Sequence, residues 1–208
     1  MKNLSTLCTL VLFISFNQTI FSQKSASITD EVPTDYMNRS PIYDYADRHL
    51  SNTDTIPDFE TKQDKLLITG TIYENDGTTP AKDIILYIQQ PDENGDYEIK
   101  KENDKRYVVN RGWIKTDADG RYTFYTFVPG SFLHNKELKH IHPVIKEPGK
   151  PEYELDAFLF DNDPFLSKSC RKRMAKKGID SILKLEKKED LYVANKDIVL
   201  SKEMPANQ

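Results

Sequence analysis

The chain has few cysteines, no excess of positive charge and no long apolar run beyond its first twenty residues. With only Cys8 and Cys170 among 208 residues, a disulfide scaffold and a cysteine-rich zinc site are excluded. The 29 Lys and Arg residues are outnumbered by 33 Asp and Glu residues, which argues against a general nucleic-acid binder. The mean hydropathy of −0.65 argues against a membrane-embedded chain.

The first residues have the pattern of a secretory signal peptide. Lys2 supplies one positive charge, residues 4–16 are mostly apolar, and Ser22 offers a small residue at which a peptidase could cleave. The apolar stretch is too short to span a bilayer comfortably. We therefore expect residues 1–22 to be removed and the mature protein to be exported to the periplasm or the extracellular space.

The rest of the chain divides into an extension and one domain. Residues 23–62 are rich in Ser, Thr, Asp, Asn and Pro and keep no period of 2 or 3.6, so they predict a poorly ordered N-terminal extension. Residues 63–208 are long enough for one domain with a hydrophobic core.

Short apolar and β-branched runs separated by polar turns indicate an all-β domain, a β-sandwich or barrel, with one short C-terminal helix over 167–177. The turn Asp117-Ala118-Asp119-Gly120 lies between two of the runs and predicts a hairpin. The predicted strands cover 66–73, 83–89, 113–116, 121–127, 139–146, 154–160 and 190–200.

His140 and His142 are the strongest chemical feature of the sequence. On a strand, residues i and i+2 face the same side, so both imidazoles would project from one face, with Ile141 on the other. Such a pair is a plausible half of a metal site, which needs a third ligand. The residues alone leave several candidates for that ligand: Tyr97, Tyr107, Asp119, Tyr122 and His134.

Four stretches recur in the order of a known family. They are GTIYENDGTTPAKDIILYIQQPDENGDY at 70–97, RGWIKTDADGRYTFYTFVPGSF at 111–132, HIH at 140–142 and AFLFDNDP at 157–164. In this order they resemble the intradiol ring-cleavage dioxygenases, which include the protocatechuate and catechol dioxygenases, over about 66–205. The resemblance implies a prealbumin-like, intradiol dioxygenase-like β-sandwich.

The resemblance also implies a metal and a reaction. The family holds Fe(III) with two tyrosines and two histidines, and it uses O₂ to break the bond between the two hydroxylated carbons of a catechol. On this chain, Tyr97 matches the first tyrosine and is predicted to be both a metal ligand and a catalytic residue, and His140 and His142 match the two histidines. Phenolate oxygens are hard donors that suit Fe(III). The implied partners are a small aromatic diol and O₂, with no nucleic acid and no membrane span.

Three positions depart from the family pattern. Phe132 stands where the second tyrosine is expected, Glu137 where the family usually has an arginine, and Ala157 where a glutamine often lines the substrate pocket. Phenylalanine can neither ligate iron nor accept a proton. His134 and Tyr125 are close enough in sequence to be considered as replacements.

The sequence therefore supports two main hypotheses. The first is an exported, iron-dependent intradiol dioxygenase-like enzyme that cleaves catechol-type aromatics. The second is a secreted β-sandwich binding module that lost catalysis together with its second tyrosine ligand. A further possibility is zinc or copper in a site made of two histidines and one tyrosine.

Overall fold

A computed structural model describes residues 32–45, 49–132 and 136–201 of the chain. Over these residues the protein is a β-sandwich with one short α-helix, which confirms the predicted fold class. The elements are β1 Thr53–Thr55, β2 Lys65–Tyr73, β3 Ile85–Gln89, β4 Ile99–Glu102, β5 Lys105–Val108, β6 Arg111–Lys115, β7 Arg121–Phe127, β8 His140–Lys146, β9 Tyr153–Glu154, β10 Phe158–Phe160, α1 Lys168–Lys176, β11 Ile182–Leu183, β12 Glu186–Lys188, β13 Leu191–Asn195 and β14 Ile198–Val199.

The first sheet has the strand order β1-β7-β2-β13-β12, and β14 also pairs with β2. Along β2, buried and half-buried residues alternate, because successive side chains of a strand point to opposite faces. The inner face of this sheet carries Leu66, Ile68 and Phe124, all fully buried.

The second sheet has the strand order β11-β10-β8-β3-β6, and β9 also pairs with β8. Leu86, Ile114 and Ile141 face inward from it and join the same hydrophobic cluster as the first sheet. Fully burying an aliphatic side chain of this size contributes about 1.5–3 kcal/mol. The odd residues of β3 and the even residues of β8 point the other way, so the outer face of this sheet carries His140, His142 and Gln89 next to the apolar side chains of Tyr87 and Val144.

The predicted hairpin between 113–116 and 121–127 is wrong. β6 pairs with β3, whereas β7 pairs with β2 and β1, so the two strands belong to different sheets. The turn at 117–120 connects β6 of the second sheet to β7 of the first sheet. Gly120 adopts a φ of 68° in this turn. Ile114 and Phe124 meet in the core from opposite sheets. The turn residues and the alternation of apolar side chains are the same for a hairpin and for such a crossing.

The predicted poorly ordered extension over 23–62 is also wrong for the part of it that the structure describes. β1 pairs in parallel with β7, and Asp54 Oδ2 accepts the backbone N–H of Trp113 at 2.8 Å. Further upstream, Ile42 is fully buried in a cluster with Tyr87 and Trp113 on the outer face of the second sheet. Single residues such as Asp54 and Ile42, each making its own contact with the sheets, produce no periodic pattern in the sequence.

A β-bulge divides the predicted strand over 154–160 into β9 and β10. Val144 pairs with Glu154 and Ile141 pairs with Phe158, so three steps along β8 match four steps on the other strand. The extra residue lies within 155–157, opposite the stretch of β8 that contains His142 and Pro143. Bulges re-aim side chains and often occur beside functional sites.

The predicted helix is confirmed as α1, whose first turn is capped by Ser167 Oγ accepting the Cys170 N–H at 3.2 Å. Among the described residues no helix is long and apolar enough to cross a bilayer. The predicted signal peptide over 1–22 and the candidate ligand His134 lie outside the described residues.

Candidate metal centre

β8 brings the two histidines to one face of the second sheet, as the alternation predicts. Ile141 between them is fully buried in the core, while His140 is half-buried and His142 exposed. Their ring centroids are 4.6 Å apart at an interplanar angle of 66°. The two imidazoles are therefore close enough to bind the same metal ion.

The hydrogen bonds of His140 define which of its nitrogens is free for a metal. Its Nδ1 lies 2.7 Å from the carbonyl oxygen of Leu138, which can only accept, so Nδ1 carries the proton. In the neutral ring Nε2 then has a lone pair, and it accepts a hydrogen bond from Tyr97 Oη at 2.9 Å. A backbone carbonyl that fixes the tautomer in this way is a common partner of metal-binding histidines.

Tyr97 is positioned by a tight contact between two loops. The side chain of Asp92 accepts the backbone N–H groups of Asn94 and Asp96, and its carbonyl accepts the N–H of Gly130. Gly95 has a φ of 91°, and a Cβ added there would lie 2.6 Å from the backbone nitrogen of Phe132. The loop that carries Tyr97 therefore lies directly against the turn that carries Phe132.

This contact places the backbone of Phe132, where the resemblance expects a second tyrosine, against Gly95, two residues before Tyr97. The side chain of Phe132 supplies no oxygen there. Phe132 instead lines a groove of about 540 Å³ together with Phe165, Pro164 and Lys139.

The electrostatics keep both Tyr97 and His142 neutral at neutral pH in the absence of a metal. Burial and the nearby Glu137 carboxylate raise the pKa of Tyr97 to about 12. The side chains packed around its ring partly desolvate His142 although its edge is exposed, and this desolvation, followed by the charge of His140, lowers the pKa of His142. A neutral imidazole can bind a metal at once, whereas the phenol of Tyr97 must first lose its proton.

The other candidate third ligands lie elsewhere. Tyr122 is fully buried and donates to the carbonyl of Lys196 at 2.6 Å, Asp119 lies in the turn between the sheets, and Tyr107 stacks on Arg111. The replacement candidate Tyr125 is on β7 in the first sheet, where it packs on Phe59. In the described part of the chain no three His, Cys, Asp or Glu side chains form a metal-binding group. A metal at the two histidines would therefore depend on Tyr97.

Sequence reasoning missed the neighbours of His142 on the strands beside it. Gln89 of β3 pairs with His142, and Arg111 of β6 pairs with Gln89. Tyr87 lies two residues before Gln89 on the same face, almost completely buried. The outward alternation of 85, 87 and 89 was readable in the sequence, but the pairing of β3 with β8 was not.

No protein-family model matches this chain, and no curated protein matches it. Solved structures do. An intradiol ring-cleavage dioxygenase from Tetranychus urticae is 21% identical with a TM-score of 0.56, and the match covers 78% of this chain and 92% of that one. The dioxygenase domain of a carbohydrate-binding fusion protein from Streptomyces sp. SirexAA-E is 22% identical with a TM-score of 0.55, covering 70% and 85%.

Catechol 1,2-dioxygenase from Pseudomonas arvilla C-1 is 17% identical with a TM-score of 0.55, and the match covers 76% of this chain. The chain spans 60% of the length of that enzyme and 63% of a 3-chlorocatechol 1,2-dioxygenase from Rhodococcus opacus 1CP. At these sequence identities the comparisons establish the fold alone. The fold of this chain is therefore that of the intradiol dioxygenases.

Proposed function

We propose that this protein is a ferric iron-dependent, intradiol dioxygenase-like enzyme that cleaves catechol-type aromatics with O₂. The proposal is carried by the 2.9 Å separation between Tyr97 Oη and His140 Nε2, next to His142 on the same strand face. Two ligand atoms at about 2 Å from one metal and at a right angle to each other are about 2.8 Å apart. The intradiol dioxygenase fold supports the same class of reaction.

The donor set fits a ferric ion with three protein ligands. Tyr97 offers a hard phenolate, and His140 and His142 offer imidazoles, with the Nε2 lone pair of His140 already directed at Tyr97. A ferric ion bound there would withdraw electron density from a chelating catechol and favour its reaction with O₂. With three protein ligands, positions on the metal stay open for substrate.

A catechol that chelates the metal loses two protons, and these must be accepted by groups of the protein or by solvent. Tyr97 has a pKa of about 12 without metal, so its phenolate is a strong base that can hold one of them. Phe132 has no group for the second, which must pass to another base or to solvent. We therefore expect slow turnover with a strong dependence on pH.

The test uses the purified protein reconstituted with ferric iron. We expect one iron per chain, a visible tyrosinate-to-iron band that shifts when catechol is added, and a muconate-type dicarboxylic acid under air. Tyr97→Phe should abolish the band and the turnover. Tyr107→Phe, which removes a phenol at the stack on Arg111, should keep both.

Other outcomes separate the alternatives. Iron and a catechol-dependent shift without product would indicate a catechol-binding module that does not cleave its ligand. Stoichiometric zinc or copper in place of iron would indicate another use of the same three ligands. A protein that binds no metal, with the Tyr97→Phe variant indistinguishable from it, would overturn the proposal.

A further inference from the structure

The helix α1 and the residue that ends it concentrate charge of one sign. Between Lys168 and Lys177 there are six Lys and Arg residues and no Asp or Glu. The whole chain has a net charge of −4, so the rest of it, once these six residues are set aside, carries −10. The protein therefore presents one strongly cationic element on an otherwise acidic molecule.

Five of the six cations form two adjacent rows on the solvent side of the helix. All five are exposed: Lys168, Lys172 and Lys176 in one row, Arg173 and Lys177 in the other. A helix advances about 1.5 Å per residue, so neighbouring cations within a row are about 6 Å apart along the axis. Met174 lies on the opposite side and is buried. We call these five residues the cationic rows.

The sixth cation has a structural role and faces elsewhere. Arg171 is half-buried, and its guanidinium donates to the carbonyl oxygen of Asp161 at 2.7 Å. The cationic rows have no such partner: within the described part of the protein none of their five side chains forms an ion pair. The first acid after the helix, Asp180, pairs with Lys196 at 3.0 Å instead. The rows are therefore open to an anion from outside the chain.

Helix stability does not account for the rows. Like charges four residues apart destabilise a helix, and the rows contain three such pairs. Lys168 is the first residue of α1, at the positive end of the helix dipole, where a cation is unfavourable. Arg173 and Lys176 gain from the dipole in the last turn, but they also repel their neighbours. An anion lying along the rows would relieve this repulsion.

The surroundings of α1 favour a narrow partner over a flat one. Asp161, beside the helix, and Asp180, just beyond its last turn, are both exposed carboxylates. A flat anionic bilayer would meet these carboxylates together with the rows. No large apolar side chain of α1 is exposed, so the helix has nothing to insert into a bilayer. A linear polyanion can follow the rows and avoid both carboxylates.

Among linear polyanions, a polysaccharide fits better than a nucleic acid. Single-stranded nucleic acids are bound largely by stacking of bases on aromatic side chains, and α1 has no aromatic residue. The net negative charge of the chain disfavours association with the dense phosphates of a duplex. An acidic polysaccharide, with its charges spread along the chain, needs only cations at regular steps. The export predicted for this chain would also bring it to such polymers.

We propose that the cationic rows of α1 are a docking surface for a linear acidic polysaccharide. The binding needs no metal and is independent of the candidate metal centre. Phe165, three residues before α1, lines the same groove as Phe132. A polymer bound along the rows would therefore hold the rim of this groove close to the polymer.

The test measures binding of the metal-free, full-length protein to polygalacturonate. The fully methyl-esterified polymer has the same backbone without charge and serves as the control ligand. We expect saturable binding to polygalacturonate that weakens by roughly tenfold or more between about 50 and 200 mM NaCl, because the contacts release counterions. The esterified polymer should not bind measurably.

Three double variants assign the binding to the rows. Lys172→Gln/Lys176→Gln removes two charges from one row and should weaken binding by roughly tenfold or more. Lys172→Arg/Lys176→Arg keeps both charges and should bind like the parent protein. Lys100→Gln/Lys101→Gln removes two charges from β4, which is exposed throughout, and should also bind like the parent protein. Lys, Gln and Arg have similar helix propensities, and near-ultraviolet circular dichroism checks that each variant is folded.

Several results would overturn the proposal. They are equal binding of the charged and the esterified polymer, unchanged binding in Lys172→Gln/Lys176→Gln, and equal losses in that variant and Lys100→Gln/Lys101→Gln. Tighter binding to phosphatidylglycerol vesicles or to duplex DNA, compared at equal charge concentration, would also overturn it and would assign the rows to a membrane or to a nucleic acid.

Discussion

At the scale of single residues, Tyr97 has two properties that oppose each other in a metal ligand. Its hydroxyl is placed beside His140 Nε2, but burial and Glu137 hold its pKa near 12. Binding of a metal must therefore displace a tightly held proton, so iron affinity should rise with pH through the neutral range. The carboxylate of Glu137 stands where the resemblance expects a cation, and it acts against formation of the phenolate.

The first prediction concerns that carboxylate. Glu137→Gln removes a negative charge that disfavours the phenolate, so the pKa of Tyr97 in the metal-free protein should fall below about 12; because burial is the larger cause, it should stay above its ordinary value of 10. It can be followed by NMR of ring-labelled tyrosines, with the Tyr97 signal assigned through Tyr97→Phe. An unchanged pKa would mean that burial alone raises it.

The second prediction restores the absent phenol. Phe132 lies on the turn that contacts the Tyr97 loop, so Phe132→Tyr should add a second tyrosinate and raise iron affinity by roughly tenfold or more. The iron-bound variant should also show a stronger visible band. Phe165→Tyr adds the same hydroxyl elsewhere in the same groove and should change neither quantity. Identical spectra for Phe132→Tyr and the parent protein would place Phe132 outside the metal centre.

At the scale of elements, the site depends on a contact that only glycine permits. A Cβ on Gly130 would lie 2.3 Å from the carbonyl oxygen of Glu93 and 2.7 Å from the nitrogen of Gly95. Both neighbours are backbone atoms, so they can give way only if the loop that carries Tyr97 moves.

The third prediction follows from this contact. Gly130→Ala should lower iron affinity by about tenfold or more, because it displaces Tyr97 from the histidines. Circular dichroism should show that the sheets remain. Gly149→Ala is the matched control, since its Cβ meets nothing within 4 Å and only its positive φ is strained. Equal iron affinities for Gly130→Ala and Gly149→Ala would contradict the role of this contact.

The fourth prediction tests how firmly the N-terminal segment belongs to the fold. Ile42→Ala should destabilise the protein by about 2–5 kcal/mol, because it leaves a cavity against Tyr87 and Trp113. Met37→Ala, in the same segment but 49% exposed, should cost much less. Urea denaturation measures both. A negligible effect of Ile42→Ala would mean that the segment leaves the sheet at little cost.

The elements differ in how well the sequence predicts them. β2 and β8 are predicted almost to the residue, because each has one buried and one open face and so a clear period of two. β1, β4 and β5 escape prediction, since short polar strands such as Ile99–Glu102, exposed throughout, show no period. Which strand pairs with which is decided by contacts distant in sequence, and that is why the predicted hairpin is wrong.

The same limit applies to the candidate site. Tyr97, His140 and His142 can be found from short motifs, because each motif is local and its order along the chain is informative. Gln89 and Arg111 join them only through the register of β3 with β8 and β6. No local pattern marks a residue whose importance comes from its neighbour on another strand.

At the scale of the whole molecule, β2 depends on strands that come more than a hundred residues later in the chain. β13 and β14 pair in parallel with β2, as in Val193 with Leu67 and Ile198 with Ile72. Ala194, Ile198 and Leu200 are buried in the core. The first long strand of the sandwich is thus completed by the last residues of the described chain.

The fifth prediction is that a chain ending at residue 190 does not fold cooperatively. It would lose three buried side chains of the core and leave one edge of β2 without hydrogen-bond partners. The expected result is a loss of the near-ultraviolet circular dichroism and of the cooperative urea transition. Val199→Ala, at a site 52% exposed, is the control and should fold normally. A cooperative transition in the shortened chain would show that β13 and β14 are accessory.

The pairing of β2 with β13 also has a consequence for how the protein is made. More than a hundred residues separate the end of β2 from the start of β13, so the ribosome needs roughly 6–24 s to supply the missing neighbour at 5–20 residues per second. During that time the nascent chain cannot close its first sheet. It therefore stays accessible to chaperones, and to any translocation machinery that requires an unfolded chain, until β13 has been synthesised.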